Sequence, residues 1–388
     1  MSVPTAPVPS WHQSPARAAP LPPVLECEGC GRRYRLPALA RGDRATCTRC
    51  GELLARGTAL PLDGQLALAS ASLIVFLIAM FAPIAEVQLG GAHTQATLLD
   101  AIRLTWEAGH QLLALLTLLT ACLFPLGVIA LLGFVLAAQF VGHGAPNLVR
   151  AGRALRWLMR WSMAEVLLLA GLVAWSRSND VAIARVGPGL VAFGALALIF
   201  TACESAAAES LRPPPEPRMP LETGVQRSAA FLLTAAILYL PSNVLPVTTA
   251  GDLAAGTHAY TLFGGVLELW RVDLYDLAVI VFVASLVVPL TKMVLLALLL
   301  ATARRRSRWR QRERAVLARL VAGVGHWSML DVYVVVLLTA MVSFGVLAGV
   351  QPEPGLVAFG AVVVFTMLAA ESFDPRWIWP DEGEGGDG

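Results

Sequence analysis

Charge is what this sequence has least of. Only 14% of its 388 residues are Asp, Glu, Lys or Arg, while 56% are hydrophobic, against about 25% charged residues in an ordinary soluble domain. The mean hydropathy is +0.66. These figures exclude a water-soluble globule. Lysine is rarer still: of 29 basic residues, 28 are Arg and one, Lys292, is Lys. No glycine-rich, lysine-ended loop of the kind that cradles nucleotide phosphates is present, so ATP is not the expected direct energy source. His93, His110 and His258 stand at no metal-ligand spacing. The first 24 residues are proline-rich and lack an apolar core of signal-peptide length, so they read as a disordered cytoplasmic leader. A net charge of +2 says little about partners, and no nucleic-acid partner is expected.

What the chain has in abundance is long apolar runs. A membrane span needs about 20 such residues, and eight stretches approach that length: 66–86, 112–141, 161–176, 187–205, 229–249, 275–302, 327–349 and 354–372. The expected fold is an all-α polytopic membrane protein. Pro125 and Pro289 lie inside the second and sixth stretches, where a kink or tilt is expected. Pro241, Ser242, Asn243 and Pro246 are expected to break the fifth, and Pro83 to end the first. Arginine-rich loops remain on the cytoplasmic side. With the N-terminus inside, the inner segments hold 24 arginines and the outer ones four, Arg103, Arg177, Arg185 and Arg271. A bacterial inner-membrane protein with both termini cytoplasmic follows. The run from Arg304 to Arg314 reads as a topology anchor or as a contact for anionic lipid headgroups.

The chain also repeats itself. Trp161-Ser162-Met163-Ala164-Glu165-Val166 recurs 166 residues later as Trp327-Ser328-Met329-Leu330-Asp331-Val332, and the eight residues Pro188–Ala195 recur identically as Pro354–Ala361. Upstream, Thr97-Leu98, Trp106 and Pro125-Leu126 match Thr261-Leu262, Trp270 and Pro289-Leu290 at an offset of 164. Two parallel four-helix halves are expected, because an even number of spans brings each copy in from the same side. The expected divisions are a leader at 1–24, a zinc ribbon at 25–60, the first half at 61–209 and a linker at 210–228. The second half at 229–376 and an acidic tail at 377–388 complete the chain.

Four cysteines precede the first apolar run as two tight pairs, Cys27-x-x-Cys30 and Cys47-x-x-Cys50, each followed by glycine. Such knuckles bring four thiolates around one ion, and four thiolates leave no open position for catalysis. One structural zinc ion is the expected occupant, with a pair of disulfides or a redox-active pair as alternatives. Cys122 and Cys203 read as ordinary buried cysteines.

Ionisable groups at membrane depth mark either a pathway or a pairing. Lys292 lies twelve residues from Arg304, deep within the sixth run, and its counterpart in the first half is Val128. Guanidinium keeps its charge at any physiological pH, whereas an ammonium deprived of water can give up its proton. Glu165 and Asp331 occupy the same repeat position. Lys292, Asp331 and Glu165, with Thr291, Ser162 and Ser328 beside them in sequence, are the expected polar cluster; a static buried ion pair or helix-end anchors are the alternatives. No catalytic residue and no enzymatic activity are expected.

The tandem Cys-x-x-Cys-Gly knuckles, the duplicated four-span unit, the paired Trp-Ser-Met-x-(Glu/Asp)-Val motifs and the end Glu371-Ser372-Phe373-Asp374-Pro375-Arg376 together resemble the paraquat-inducible protein A family over about residues 25 to 380. The resemblance implies an inner-membrane subunit of a lipid transport system whose periplasmic partner carries a mammalian-cell-entry (MCE) domain, with membrane lipid as the other partner. It also makes proton coupling through the buried polar residues an expectation. Residues 206–228 contain no cysteine, so the second cysteine module common in that family is missing here. A non-transporting scaffold that anchors the MCE partner is the alternative, followed by a thiol oxidoreductase.

Overall fold

The computed structural model describes residues 24–379 except 36–38, 41, 58–60, 90–91, 141–147, 182, 211–218, 253–255, 272, 274 and 343–347. The expected leader, the proline-rich part of the linker and most of the acidic tail therefore lie outside the described residues. Two antiparallel hairpins come first: β1 (Val24–Glu26) with β2 (Arg33–Arg35), and β3 (Arg44–Thr46) with β4 (Leu53–Arg56). The membrane part then opens with α1 (Leu62–Phe81), β5 (Ala85–Leu89), β6 (Ala92–Ala96), α2 (Leu98–Glu107) and α3 (Gln111–Thr117). A π-helical segment, Leu118–Leu123, leads into α4 (Phe124–Phe140), followed by α5 (Leu148–Trp161), α6 (Ala164–Val181), β7 (Ile183–Val186) and α7 (Pro188–Ser210).

The same order then recurs. It runs through α8 (Leu221–Val244), β8 (Thr248–Asp252), β9 (Gly256–Tyr260), α9 (Leu262–Arg271) and α10 (Tyr275–Phe282) to a second π-helical segment, Val283–Val287. After it come α11 (Val288–Arg304), α12 (Gln311–Val324), a 3-10 segment Gly325–Met329, α13 (Leu330–Val342), β10 (Ala348–Pro352) and α14 (Pro354–Glu371), with a closing 3-10 turn Pro375–Ile378.

Six helices among the described residues are long and apolar enough to cross a membrane: Leu62–Phe81, Gln111–Phe140, Arg150–Ser176, Leu221–Val244, Ala278–Arg304 and Pro354–Glu371. At the fourth and seventh expected spans stand shorter apolar helices, Pro188–Cys203 and Leu330–Ala340. The chain is thus a multi-pass membrane protein.

Strictly all-α it is not. Two three-stranded antiparallel sheets, in the orders β6-β5-β7 and β10-β8-β9, cap the ends of the helices. Each central strand pairs with a distant partner, Ala85 with Val186 and Thr248 with Pro352. Strands of four or five residues and mixed polarity, closed across most of a half, carry no local periodicity, so hydropathy reads them as loops. Of the residues expected to break the fifth helix, Pro241 does not, whereas Pro246 stands just past the helix end at Leu245. Helix α8 runs through Pro241 to Val244, and Ser242 Oγ and Asn243 Nδ2 both donate to the Tyr239 carbonyl, at 2.9 and 2.7 Å.

The repeated motifs have identifiable physical jobs. Thr97 caps α2 in a reciprocal box with Asp100, and Thr261 Oγ1 accepts from the Gly264 N–H at the matching place in α9, satisfying amide groups that the first helical turn leaves free. Pro125 and Pro289 each follow a π-helical segment. A proline in mid-helix cannot donate and crowds the carbonyl four residues back. The wider π turn takes up that conflict, with Phe124 N–H reaching Leu119 O and Val288 N–H reaching Val283 O.

The identical Pro-Gly-Leu-Val-Ala-Phe-Gly-Ala runs begin α7 and α14, which lie against α1 and α8. Gly189 N–H bonds the Pro83 carbonyl and Gly355 N–H the Pro246 carbonyl, each at 2.9 Å. A Cβ on Gly355 would stand 2.4 Å from Pro246 O and 2.7 Å from Leu245 O, with backbone on every near side. Glycine is therefore required by close approach. Gly355→Ala should destabilise the second half by about 3 kcal/mol, the upper end for overpacking a site that cannot yield, and should lower the melting temperature measured in detergent.

The halves share one apolar core. Val332, Tyr333, Val336 and Leu337 of α13 belong to the same buried cluster as Leu98, Leu113 and Leu167 of the first half. Helix α13 packs on α6 and α2, so an element of the second half fills the first.

Candidate functional site

Two arrangements carry chemistry. The first is the cysteine cluster. Cys27 and Cys30 lie in the turn between β1 and β2, Cys47 and Cys50 in the turn between β3 and β4, and all four are buried. Gly31 (φ 74°) and Gly51 (φ 75°) turn each knuckle through the left-handed region, which explains the glycine after each pair. Four thiolates around one ion at about 2.3 Å stand about 3.8 Å apart along a tetrahedron's edges. Here the Cys27–Cys50 and Cys30–Cys47 sulfurs are each 3.5 Å apart, and all four lie within 4.8 Å of one another. Bonded sulfurs would be about 2.05 Å apart, and none of the six cysteines is in a disulfide.

Burial pushes the Cys27 thiol well above its ordinary range and Cys30 up to about 11. Cys47 is held down to about 6: burial acts the other way, but the Tyr34 hydroxyl, 3.1 Å from its sulfur, and the backbone N–H groups of Cys50 and Arg49 favour the thiolate. A buried set of this kind ionises fully only around a cation. The cluster is a site that can hold a metal ion.

The second arrangement is the polar interior of the second half. Lys292, on α11, is only 3% exposed, and its Nζ has no hydrogen-bond partner among the described residues. Its amine stands over Gly325, where an added Cβ would lie 2.8 Å from Nζ; glycine keeps that backbone open to the lysine. Asp331 opens α13, and its Oδ2 accepts a hydrogen bond from Ser285 Oγ in the second π-helical segment.

The six expected cluster residues do not form one network. Among the described residues no ion pair or hydrogen bond joins Lys292 to Asp331. Glu165 opens α6 with its side chain exposed, and it accepts from Thr201 Oγ1 at 3.1 Å. Thr291 is exposed on the opposite side of α11 from its buried neighbour Lys292, since consecutive helical residues diverge by about 100°. Ser162 lies at the break between α5 and α6 with its Oγ buried and without a hydrogen-bond partner among the described residues. The side chain of Ser328 lies outside the described residues.

Sequence reasoning missed Ser285, Tyr333 and Thr120. Tyr333 is fully buried, and its hydroxyl donates to Thr120 Oγ1 at 2.6 Å, in the first π-helical segment. Helix α13 thus touches both π segments through polar groups, one in each half. The available signal was position: Ser285 stands four residues before Pro289, where a proline frees a carbonyl and loosens the helix.

The arginine run at 304–314 is likewise not uniform. Arg314 is 1% exposed and its Nη2 donates to the Ser307 carbonyl, closing the hairpin between α11 and α12, whereas Arg304, Arg305 and Arg306 are exposed.

Comparison with known proteins agrees with this architecture. The family model described as paraquat-inducible protein A matches residues 62–211 and 225–382. The chain is 28% identical to the intermembrane transport protein PqiA of Escherichia coli (strain K12), over 92% of this chain and 96% of that protein. It is 27% identical to a probable intermembrane transport protein of Haemophilus influenzae, over 92% and 95%. To the lipophilic envelope-spanning tunnel protein A of Escherichia coli (strain K12) it is 26% identical, over 91% and 90%. No solved structure matches. These relatives carry the names of transport proteins, not of enzymes. With both membrane halves matched by the family model, this chain belongs to the paraquat-inducible protein A family.

Proposed function

We propose that this protein is the inner-membrane subunit of an MCE-type lipid transport system, moving or loading lipid between the inner membrane and a periplasmic conduit built by an MCE-domain partner. The observation that carries this reading is Lys292, an ammonium inside a membrane-spanning helix with no hydrogen-bond partner among the described residues. An unpartnered polar group in hydrocarbon is costly enough to be rare. An anionic lipid headgroup, or loss of the proton, would relieve it. Ser285, in the π-helical segment that leads into α11, and Asp331, at the start of α13, would carry a proton as the headgroup passes. Glu165, Thr291, Ser162 and Ser328 have at most an outlying part. The names of the relatives, intermembrane transport and envelope-spanning tunnel, support the reading.

The rest of the arrangement follows. The apolar helices form eight spans as two parallel four-helix halves, divided as the sequence suggests, with both termini in the cytoplasm. Helix α13 has 13 residues, about 20 Å, and the 3-10 segment before it adds about 10 Å, together close to a hydrocarbon thickness. The cysteine cluster holds one structural zinc ion. Its residues set the shape of the ribbon; the ion supplies the charge that lets four buried thiolates coexist.

The competing reading is a scaffold that only anchors the conduit. The triple variant Lys292→Met, Asp331→Asn, Glu165→Gln distinguishes them. The transporter reading expects it to recruit the MCE partner at the level of the unaltered protein while lipid movement into a reconstituted conduit falls at least tenfold. Unchanged lipid movement would establish the scaffold.

A further inference from the structure

The cysteine ribbon touches both halves of the membrane part on one face. Its apolar side is continuous with the second half: Cys27, Cys30, Cys47, Cys50 and Leu54 belong to one buried cluster with Leu299 of α11, Ala315 and Ala318 of α12, and Phe373 and Trp379 at the chain's end. Its polar side is gripped by arginines. Arg319 of α12 reaches Glu52 with Nη1 and the carbonyl of Cys50 with Nη2, both at 2.9 Å. Arg376 meets Glu26 at 3.5 Å, and the Arg49 guanidinium lies 4.5 Å over the Trp379 ring. On the first half, Arg156 of α5 donates to Glu28 at 2.6 Å, and β4 lies beside α7. Alongside the ribbon, Arg160 of α5 pairs with Glu371 of α14 at 3.5 Å.

We propose that the ribbon is a metal-dependent clasp that ties α5 of the first half to α12 of the second. Glu28 sits between Cys27 and Cys30, inside one knuckle, and Glu52 two residues beyond Cys50, at the edge of the other. The two carboxylates are held at one separation only while both knuckles close on the same ion, because a module of about 30 residues has too little apolar core to keep its shape otherwise. Arg319 also holds the carbonyl of a ligand residue, so the helix is coupled to the knuckle's backbone as well as to its charge. Exposed ion pairs are individually weak; their combined effect depends on a rigid body presenting all of them at once.

The test uses the full chain in nanodiscs, with hydrogen exchange followed by mass spectrometry and with distance measurements between spin labels on unnatural residues at positions 153 and 312, both exposed. Removal of zinc by a chelator should raise exchange at least tenfold in 148–161 and 311–324 as well as in the ribbon, and should broaden the label distance. The double variant Arg156→Met, Arg319→Met should give the same broadening while retaining one zinc per chain and a folded ribbon. That last pattern separates a clasp from general unfolding. If chelation changes exchange only within 24–56, or if the double variant keeps the narrow distance of the unaltered protein, the clasp is wrong.

Discussion

Lys292→Met should cut lipid movement at least tenfold and yet leave the protein as stable as before, or more so. The two signs come from the same fact. Lys292 is 3% exposed and its buried amine has no acceptor among the described residues, so in the resting state it contributes desolvation cost without a compensating bond, of order 1–3 kcal/mol. Methionine fills a similar volume and needs no acceptor. A purely structural lysine would behave in the opposite way, because removing one member of a satisfied buried pair strands the other. Lipid transfer from donor liposomes and the melting temperature in detergent, measured on the same preparation, decide the matter. Reduced transfer with an unchanged or higher melting temperature supports a working group. Lower stability with normal transfer would assign Lys292 to the architecture. Lys292→Arg separates charge from fit: the guanidinium is larger and always ionised, and the open backbone at Gly325 has room for an amine rather than a fork.

Cys27→Ser should empty the metal site and unfold the ribbon without unfolding the membrane part. A hydroxyl is a poor replacement for a thiolate, and structural zinc binding contributes on the order of 10–16 kcal/mol to modules of this size. Cys27 is fully buried, so no water can take its place without opening the knuckle. Metal analysis should show zinc falling from one per chain to a small fraction. Limited proteolysis should cut within 24–56 and leave 62–379 intact. A variant that keeps its zinc, or that loses the membrane helices together with the ribbon, would show that Cys27 has a different role. Redox chemistry at these cysteines predicts instead a reversible disulfide under mild oxidation, with the metal already absent.

The parts of the fold legible in the sequence are those with local physical signatures. Apolar runs of membrane length show as helices because the backbone must satisfy itself in hydrocarbon. The knuckle spacing predicts a four-sulfur cluster because the chain has only one way to turn two cysteines onto one ion. The duplication is visible as identical residues, and the structure gives those residues their work: Thr97 and Thr261 at helix starts, Gly189 and Gly355 against the carbonyls of Pro83 and Pro246. What escaped was non-local. The strands β7 and β10 close sheets begun far earlier in each half. The repeat position shared by Glu165 and Asp331 suggested a shared role, but one is exposed and accepts from Thr201 of its own half, while the other accepts from Ser285 in a part-buried contact.

By itself the sequence determined that this chain lives in a membrane, that the same motifs occur in it twice, that four cysteines stand as two tight pairs, and that a single lysine sits in an apolar run where charge is costly. Each of these depends on composition or on spacing along a few turns of chain. Only the tertiary structure decided that α13 of the second half inserts into the first, that Lys292 is buried beside Gly325 with no hydrogen-bond partner among the described residues, and that the ribbon touches both α5 and α12. Those depend on which surfaces meet between segments distant along the chain, and similar packing energies are open to many pairings until the close-packed core selects one.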